Sequence, residues 1–115
     1  MSIPPFTAHN IRLDNGTYTI PDNPTLLEQW PGFTSVSRIL DLTFPSQKER
    51  VRIADLGCLE GGYSVGFARK GFEAVGIEVR DQNFQCCTYV KEHLSLPNLQ
   101  FVQDNVLNFS RYGRF

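Results

Sequence analysis

The fold is decided by one stretch, Ala54-Asp55-Leu56-Gly57-Cys58-Leu59-Glu60-Gly61-Gly62-Tyr63. Gly57 ends an apolar run and permits a tight turn, where a Cβ is expected to meet the turn backbone or a bound ligand. The glycines that open the next segment let a ligand approach the free N–H groups at the positive end of a helix. The stretch predicts a ligand crevice outside the carboxyl end of a strand. A tight turn without a ligand is the alternative, because such glycine-rich turns are common.

The same alternation continues along the chain from residue 51. Short apolar runs at 51–56, 74–79 and 99–102 predict strands, and residues 63–70 and 81–96 predict the helices between them. Helices between successive strands imply parallel strands joined by right-handed crossovers. The expected class is α/β, a Rossmann-like parallel sheet with helices on both faces. Only the first three strands of such a sheet are present, so we expect the domain of residues 51–115 to be cut before a fourth strand.

Residues 1–50 lack this regular alternation of strands and helices and are expected to form an N-terminal extension. Asn15-Gly16 between alternating apolar residues is a strong hairpin signal. Asn23 and Pro24 predict a short helix that Pro31-Gly32 ends, and a second helix is expected over 35–43, with Val36, Ile39 and Leu40 on one face.

Composition excludes several classes of protein. Eleven Lys plus Arg against twelve Asp plus Glu give a formal net charge of -1, so the basic surface of a nucleic-acid binder is absent. No apolar run approaches the roughly 18 residues of a spanning helix, and the N-terminus has no signal-peptide pattern, so a cytoplasmic protein without membrane contact is expected. An odd number of cysteines, Cys58, Cys86 and Cys87, cannot pair completely, so we expect reduced thiols. The spacing of these cysteines and of His9 and His93 does not match that of zinc ligands, so we expect no metal site.

Two acidic residues lie at the ends of the second and third predicted strands. Glu78 lies 23 residues after Asp55, close to the roughly 20-residue offset at which an acid reaches ribose hydroxyls. A surface acid paired with Arg80 is the alternative for Glu78. Asp104 ends the third strand, where a carboxylate can accept a hydrogen bond from an adenine amino group. A simple turn is the alternative for Asp104 and Asn105.

Taken together, Asp55 to Gly62, Val75-Gly76-Ile77-Glu78 and Phe101-Val102-Gln103-Asp104 resemble the first three motifs of the class I S-adenosylmethionine-dependent methyltransferases. The resemblance covers about half of the chain, and the order and spacing of three motifs are more specific than any one of them. It implies S-adenosyl-L-methionine as the cofactor and methyl transfer as the activity of the full-length parent. Its acceptor is expected to be a small molecule rather than a nucleic acid.

The resemblance also implies a role for each matching residue. Asp55 organises the loop near the methionine amino group, and Glu78 binds the ribose. Asp104 recognises the adenine amino group. The other expected cofactor-binding positions form two groups. The backbone of Gly57, Cys58, Leu59 and Gly61 is expected to lie against the methionine part of the cofactor, and Asn105 and Val106 are expected beside the adenine ring.

One departure from the family pattern bears on the alternatives. Leu59 stands where the family usually has glycine, so a side chain narrows the room above the loop. The missing glycine also counts against a dinucleotide-binding Rossmann protein, whose G-x-G-x-x-G lets the backbone approach a pyrophosphate, and Glu60 adds an acid where phosphate would be repelled. A non-catalytic interaction module, which pairs with another chain through an open sheet edge, is the second alternative.

Catalytic residues are not assigned, because in this family the groups that position the acceptor usually lie after the fourth strand, beyond residue 115. His9 is the N-terminal residue whose ordinary pKa suits a base, but a lone histidine before a hairpin is expected to be exposed. Tyr18, Trp30 and Phe33 either line an acceptor pocket or, as is commoner for such residues, form a hydrophobic cluster.

Overall fold

Three parallel strands form the sheet in the computed structural model, which describes residues 2–115. The order in space follows the order in sequence, with β2 between β1 and β3. Ala54 of β1 lies beside Val75 of β2, and Ile77 of β2 lies beside Val102 of β3. The strands and α-helices, in chain order, are α1 (Pro31–Thr43), β1 (Arg52–Leu56), α2 (Gly62–Arg69), β2 (Glu73–Ile77), α3 (Asp81–Glu92) and β3 (Leu99–Val102). Three 3₁₀ helices complete the structure, at Leu27–Gln29, Lys48–Arg50 and Val106–Tyr112.

The predicted fold class is confirmed, and the reason lies in the burial pattern of the middle strand. Ala74, Val75, Gly76 and Ile77 are all buried, as expected of a strand with a neighbour on each side and helices packed on the sheet. The predicted apolar face of α3 is confirmed for Cys87 and Val90, which are buried, whereas the helix ends at Glu92 and the buried Leu94 follows it.

The N-terminal part differs from its prediction in detail. The hairpin around Asn15-Gly16 has one bridge, between Arg12 and Tyr18, rather than two regular strands. The short helix expected after Asn23 is present only as the 3₁₀ helix at Leu27–Gln29, and Asn23 does not cap it. The Asn23 side chain instead accepts a hydrogen bond from the Thr25 N–H at 2.9 Å, which makes a local turn.

Helix α1 begins four residues earlier than predicted. Pro31 opens this helix instead of ending the previous one, because a proline at the first helical position loses no backbone hydrogen bond. Of the face predicted for this helix, Leu40 packs against the core, but Val36 and Ile39 are exposed. The buried anchor of α1 is Phe33, which lies before the start of the predicted helix.

One hydrophobic core joins residues from both sides of position 50. Ile11, Leu13 and Phe33 pack with Val65 and Phe67 of α2 and with buried residues of the sheet and α3. The N-terminal segment therefore shares its core with the Rossmann-like part. Among residues 2–115, no helix combines the length and the hydropathy needed to cross a membrane.

His9 attaches the N-terminal segment to the first residue of α2. The Gly62 N–H donates to His9 Nδ1 at 3.0 Å, and the His9 ring packs edge-on against Trp30. His9 is 3% exposed, so the expectation of an exposed histidine is wrong. Burial lowers the pKa of His9 from its ordinary value of 6.5, although the negative charge of Glu60 opposes this effect.

The stability of the fold should therefore fall as the pH drops below about 6.5, the ordinary pKa of histidine. Because the pKa of folded His9 is lowered, the unfolded chain binds the proton more tightly than the folded chain does. The stabilisation is complete above the unfolded pKa and is lost as acid protonates the ring. We expect His9→Gln, whose amide oxygen can still accept from Gly62, to reduce the loss of unfolding free energy between pH 7.5 and 5.5. Urea titrations at several pH values measure this. Equal losses in both proteins would contradict the assignment to His9.

The contact between α1 and α2 depends on a glycine. A Cβ at Gly66 would collide with the ring of Phe33, which cannot readily move because its centroid lies 5.5 Å from Tyr63 and 5.7 Å from Phe67. Alanine normally stabilises a helix by about 1 kcal/mol over glycine, whereas overpacking a core costs about 1–3 kcal/mol. We expect Gly66→Ala to lower the free energy of unfolding, and Phe33→Leu to remove most of this cost in the double variant. A double-mutant cycle by urea unfolding measures the coupling, and additive effects would contradict the collision.

Candidate functional site

The three sequence motifs meet at the carboxyl edge of the sheet. The Gly57 N–H donates to the Ile77 carbonyl at 2.8 Å, and the Glu78 N–H donates to the Val102 carbonyl at 3.1 Å. The Asp104 N–H lies 3.3 Å from the Glu78 carbonyl oxygen and donates to it. Residues far apart in the sequence are therefore neighbours here, because parallel strands end at the same side of a sheet.

Gly57 begins the glycine loop, which we define as residues 57–61. Its φ of 71° lies in the left-handed region that favours glycine, but a Cβ at Gly57 would have no protein atom within 4 Å. Of the two contacts expected for a Cβ at Gly57, the one with the turn backbone is therefore wrong. The space above Gly57 is open, which is the arrangement that a ligand resting on the loop backbone requires.

Leu59 also adopts a left-handed conformation, with a φ of 53°. This is costly for a residue with a Cβ and explains why glycine suits the position. The Leu59 N–H donates to Glu78 Oε1 at 3.0 Å, and its carbonyl accepts from the Cys87 thiol at 3.1 Å. These bonds fix the loop backbone while the Leu59 side chain stays 46% exposed.

Glu78 is 4% exposed and holds its carboxylate at the end of β2. It accepts from the N–H groups of Leu59 and Arg80, both at 3.0 Å. The bond to Arg80 comes from the backbone and not from the guanidinium, so the surface ion pair considered for Glu78 is not formed. The Asn83 side-chain amide also donates to Glu78 Oε2, at the long distance of 3.5 Å. A carboxylate has about four acceptor positions, so about one remains free and a second is filled only by this long bond.

Asp55 lies at the end of β1, where the Ser64 hydroxyl donates to its Oδ2 at 2.8 Å. Burial raises the pKa of Asp55, the Ser64 hydrogen bonds oppose the shift, and the charge of Glu78 raises the pKa further. Ser64 was not singled out from the sequence. Its position at the start of α2, facing the end of β1, depends on the packing of the loop.

Asp104 uses its carboxylate to hold the 3₁₀ helix that follows. It accepts from the Asn105 N–H at 2.7 Å, from the Asn108 amide at 2.8 Å and from the Tyr112 hydroxyl at 2.5 Å. The bonds from Asn108 and Tyr112 lower the pKa of Asp104. Three of about four acceptor positions are thus filled, which leaves about one, on Oδ2, with the exposed Arg111 guanidinium 3.7 Å away. Asn105 caps the same 3₁₀ helix, whose first residue is Val106, by accepting from the Leu107 N–H at 2.9 Å.

Cys58 and Gly61 form the buried side of the loop. The Cys58 sulfur lies 3.7 Å from the Cys87 sulfur, and this contact and burial raise the pKa of the Cys58 thiol, so it stays protonated at neutral pH. Gly61 has a φ of 94°, and a Cβ there would lie 2.7 Å from the Phe101 ring. Both residues shape the loop from beneath.

Glu60 is the residue whose place the sequence analysis missed. It was expected on the ligand side of the loop, where it would repel a phosphate, but it is 2% exposed and accepts hydrogen bonds from residues 7–9. Burial opposes its ionisation, but the hydrogen bonds from His9, Thr7 and Ala8 outweigh it and hold the pKa of Glu60 below its ordinary value.

Two of the three aromatic residues considered for an acceptor pocket belong to the hydrophobic core instead. Phe33 is buried in the core and Trp30 packs against it, whereas Tyr18 is 40% exposed. Within residues 2–115, no group of three or more His, Cys, Asp or Glu side chains is arranged to hold a metal ion.

No family model and no curated protein matches the sequence, but solved structures do. The crystal structure of the N-terminal domain of EvdMO1 with SAH bound is 30% identical with a TM-score of 0.60, over 76% of this chain and 36% of that one. The same domain in the presence of SAH and D-fucose is 27% identical with a TM-score of 0.62, over 87% of this chain and 41% of that one. Monomeric WbdD is 22% identical with a TM-score of 0.60, over 66% of this chain and 18% of that one.

The chain spans less than half of the length of each of these structures. In this chain β1, β2 and β3 bring the three motifs to one edge of a parallel sheet. The chain therefore has the N-terminal portion of the class I S-adenosylmethionine-dependent methyltransferase fold.

Proposed function

We propose that this chain is the cofactor-binding part of an S-adenosyl-L-methionine-dependent methyltransferase. The observation that carries the proposal is the buried Glu78 carboxylate, which keeps acceptor capacity for a ligand and is hydrogen-bonded to the glycine loop, where the space above Gly57 is open. The SAH bound to the N-terminal domain of EvdMO1, a structure of similar fold, supports the same cofactor. When bound, S-adenosyl-L-methionine supplies a methyl group on a positively charged sulfur.

The residues of the carboxyl edge fit the parts of this cofactor. Glu78 would accept hydrogen bonds from the two ribose hydroxyls, one at its free acceptor position and one in place of the long bond from the Asn83 amide. The remaining acceptor position of Asp104 would take the adenine amino group, with Asn105 and Val106 beside the ring. The backbone of Gly57, Cys58, Leu59 and Gly61 would face the methionine part, near Asp55.

The methyl acceptor is proposed to be a small molecule. The net charge of -1 gives no basic surface for nucleic acid, and the EvdMO1 domain was crystallised in the presence of a sugar, D-fucose. Alignment of the two reactants and exclusion of water supply much of the rate in such a displacement, so positioning is the main task of the protein. We assign no catalytic base. A cytoplasmic location, which suits three reduced cysteines, is part of the proposal.

Isothermal titration of SAH into the full-length parent tests the assignment of Glu78. Hydrogen bonds to charged groups are worth about 1.5–3 kcal/mol and neutral ones about 0.5–1.5 kcal/mol. We therefore expect Glu78→Gln to weaken SAH binding about tenfold, which corresponds to about 1.4 kcal/mol. Glu73→Gln is the matched control, because Glu73 lies at the other end of β2.

The same titration distinguishes the alternatives. A dinucleotide-binding protein would bind NADH in competition with SAH. An interaction module that pairs through the edge of β1 would bind neither and would be a dimer by light scattering. A folded parent that does not bind SAH would contradict the proposed function.

Three substitutions at the carboxyl edge of the sheet are expected to give a ranking of SAH affinities. Gly57→Val places a branched side chain in that space and in a left-handed conformation, so binding should be lost. Asp104→Ala removes one proposed bond and should weaken binding less. Leu59→Gly relieves a left-handed conformation that costs about 1–2 kcal/mol but adds about 0.5–1 kcal/mol of chain entropy, so binding should be unchanged or tighter. If Leu59→Gly binds as poorly as Gly57→Val, the Leu59 side chain itself belongs to the pocket.

A further inference from the structure

Glu60 joins the glycine loop to the N-terminal segment through one carboxylate. Its Oε2 accepts from the Thr7 N–H at 2.8 Å and the Thr7 hydroxyl at 3.0 Å. Its Oε1 accepts from the Ala8 N–H at 2.9 Å and the His9 N–H at 2.7 Å. These four bonds fill the acceptor capacity of the carboxylate, so Glu60 has none left for a ligand.

The neighbour of Glu60 faces the opposite way. Leu59 is 46% exposed, whereas Glu60 is 2% exposed. The left-handed conformation of Leu59 is the turn at which the loop changes from its exposed side to its buried side. Leu59, whose backbone would contact the cofactor, and Glu60, whose carboxylate holds residues 7–9, are therefore consecutive residues of one turn.

A second contact links the same two parts of the chain. The Gly62 N–H at the start of α2 donates to the His9 ring at 3.0 Å, so residues 7–9 hold both the last part of the loop and the helix that follows it. A Cβ at Gly62 would collide with Leu27, which shows how closely the N-terminal segment approaches the loop. Movement of residues 7–9 away from the loop would leave the Glu60 carboxylate buried without partners or force it to turn toward water.

We propose that Glu60 is a positioning residue that couples residues 7–9 to the cofactor site, so that a bound cofactor and the docked N-terminal segment stabilise each other. This inference rests on the proposed function. A cofactor that favours the observed loop conformation also favours the conformation in which Glu60 accepts from residues 7–9. By linkage, the docked segment must increase cofactor affinity by the same factor.

Hydrogen exchange on the wild-type parent tests the coupling without any substitution. Thr7, Ala8 and His9 donate their backbone N–H groups to Glu60, so their exchange reports directly on the docked state. Couplings between sites typically amount to about 5–150-fold. We expect saturating SAH to slow exchange at these three amides at least about fivefold.

Substitution of Glu60 tests the reciprocal effect. In Glu60→Gln the amide nitrogen would face N–H donors, so at least half of the contact is lost. We expect SAH affinity to fall at least about fivefold and the protection of residues 7–9 by SAH to disappear. Glu49→Gln is the matched control, because Glu49 is exposed and makes no side-chain hydrogen bond with residues 2–115. If Glu60→Gln does not fold, the wild-type exchange experiment decides alone.

The possible outcomes separate this inference from the proposed function. A wild-type parent that does not bind SAH contradicts the proposed function. A parent that binds SAH with unchanged exchange at residues 7–9 overturns the coupling and leaves the function intact. A folded Glu60→Gln variant that binds SAH as the wild type does also overturns it, because a purely structural glutamate would lower stability and leave the affinity of the folded protein unchanged.

Discussion

The buried Glu60 carboxylate is the constraint on which the arrangement of the site depends. An ionised carboxylate removed from water is costly unless hydrogen bonds replace its hydration. Glu60 receives those bonds from Thr7, Ala8 and His9, more than 50 residues earlier in the sequence. The loop between β1 and α2 and the N-terminal segment therefore cannot reach their observed positions independently. The Glu60 carboxylate supplies acceptors for the N–H groups of residues 7–9, and those N–H groups supply the donors that allow the carboxylate to be buried.

The hydrogen bond between His9 and Gly62 connects this constraint to helix α2. The neutral His9 ring accepts the N–H that begins α2, and Leu27 and the ring fill the place where a side chain at Gly62 would stand. Phe33 then fills the corresponding place beside Gly66, one turn along the same helix. The N-terminal segment thus packs closely on α2 at successive turns, which is why one core holds residues of both parts of the chain.

The sequence predicted the sheet well because its signals are local. The apolar runs of the strands, the buried face of α3 and the glycines of the loop can each be recognised within a few residues, and parallel strands necessarily end at one edge. Only one of the two reasons for expecting glycine at position 57 could be recognised from the sequence. The positive φ of Gly57 requires glycine, but the absence of any neighbour for its Cβ could be seen only in the folded chain.

Glu60 and His9 were misjudged because their partners are backbone N–H groups of distant residues. Backbone groups are the same at every position except proline, so no residue type in the sequence indicates which of them a carboxylate will meet. The start of α1 was missed for a related reason. A proline after Trp30 can end one segment or begin the next, and only the burial of Phe33 against α2 distinguishes the two.

The charges at the carboxyl edge favour one class of ligand over another. Asp55 and Glu78 lie close enough for the charge of Glu78 to raise the pKa of Asp55, and neither carboxylate is paired with a cationic side chain in residues 2–115. A ligand that carries positive charge on an amino group and a sulfur would reduce this repulsion, whereas the pyrophosphate of a dinucleotide would add to it. The electrostatics of the edge and the missing central glycine of the loop therefore argue independently for S-adenosyl-L-methionine over a nicotinamide cofactor.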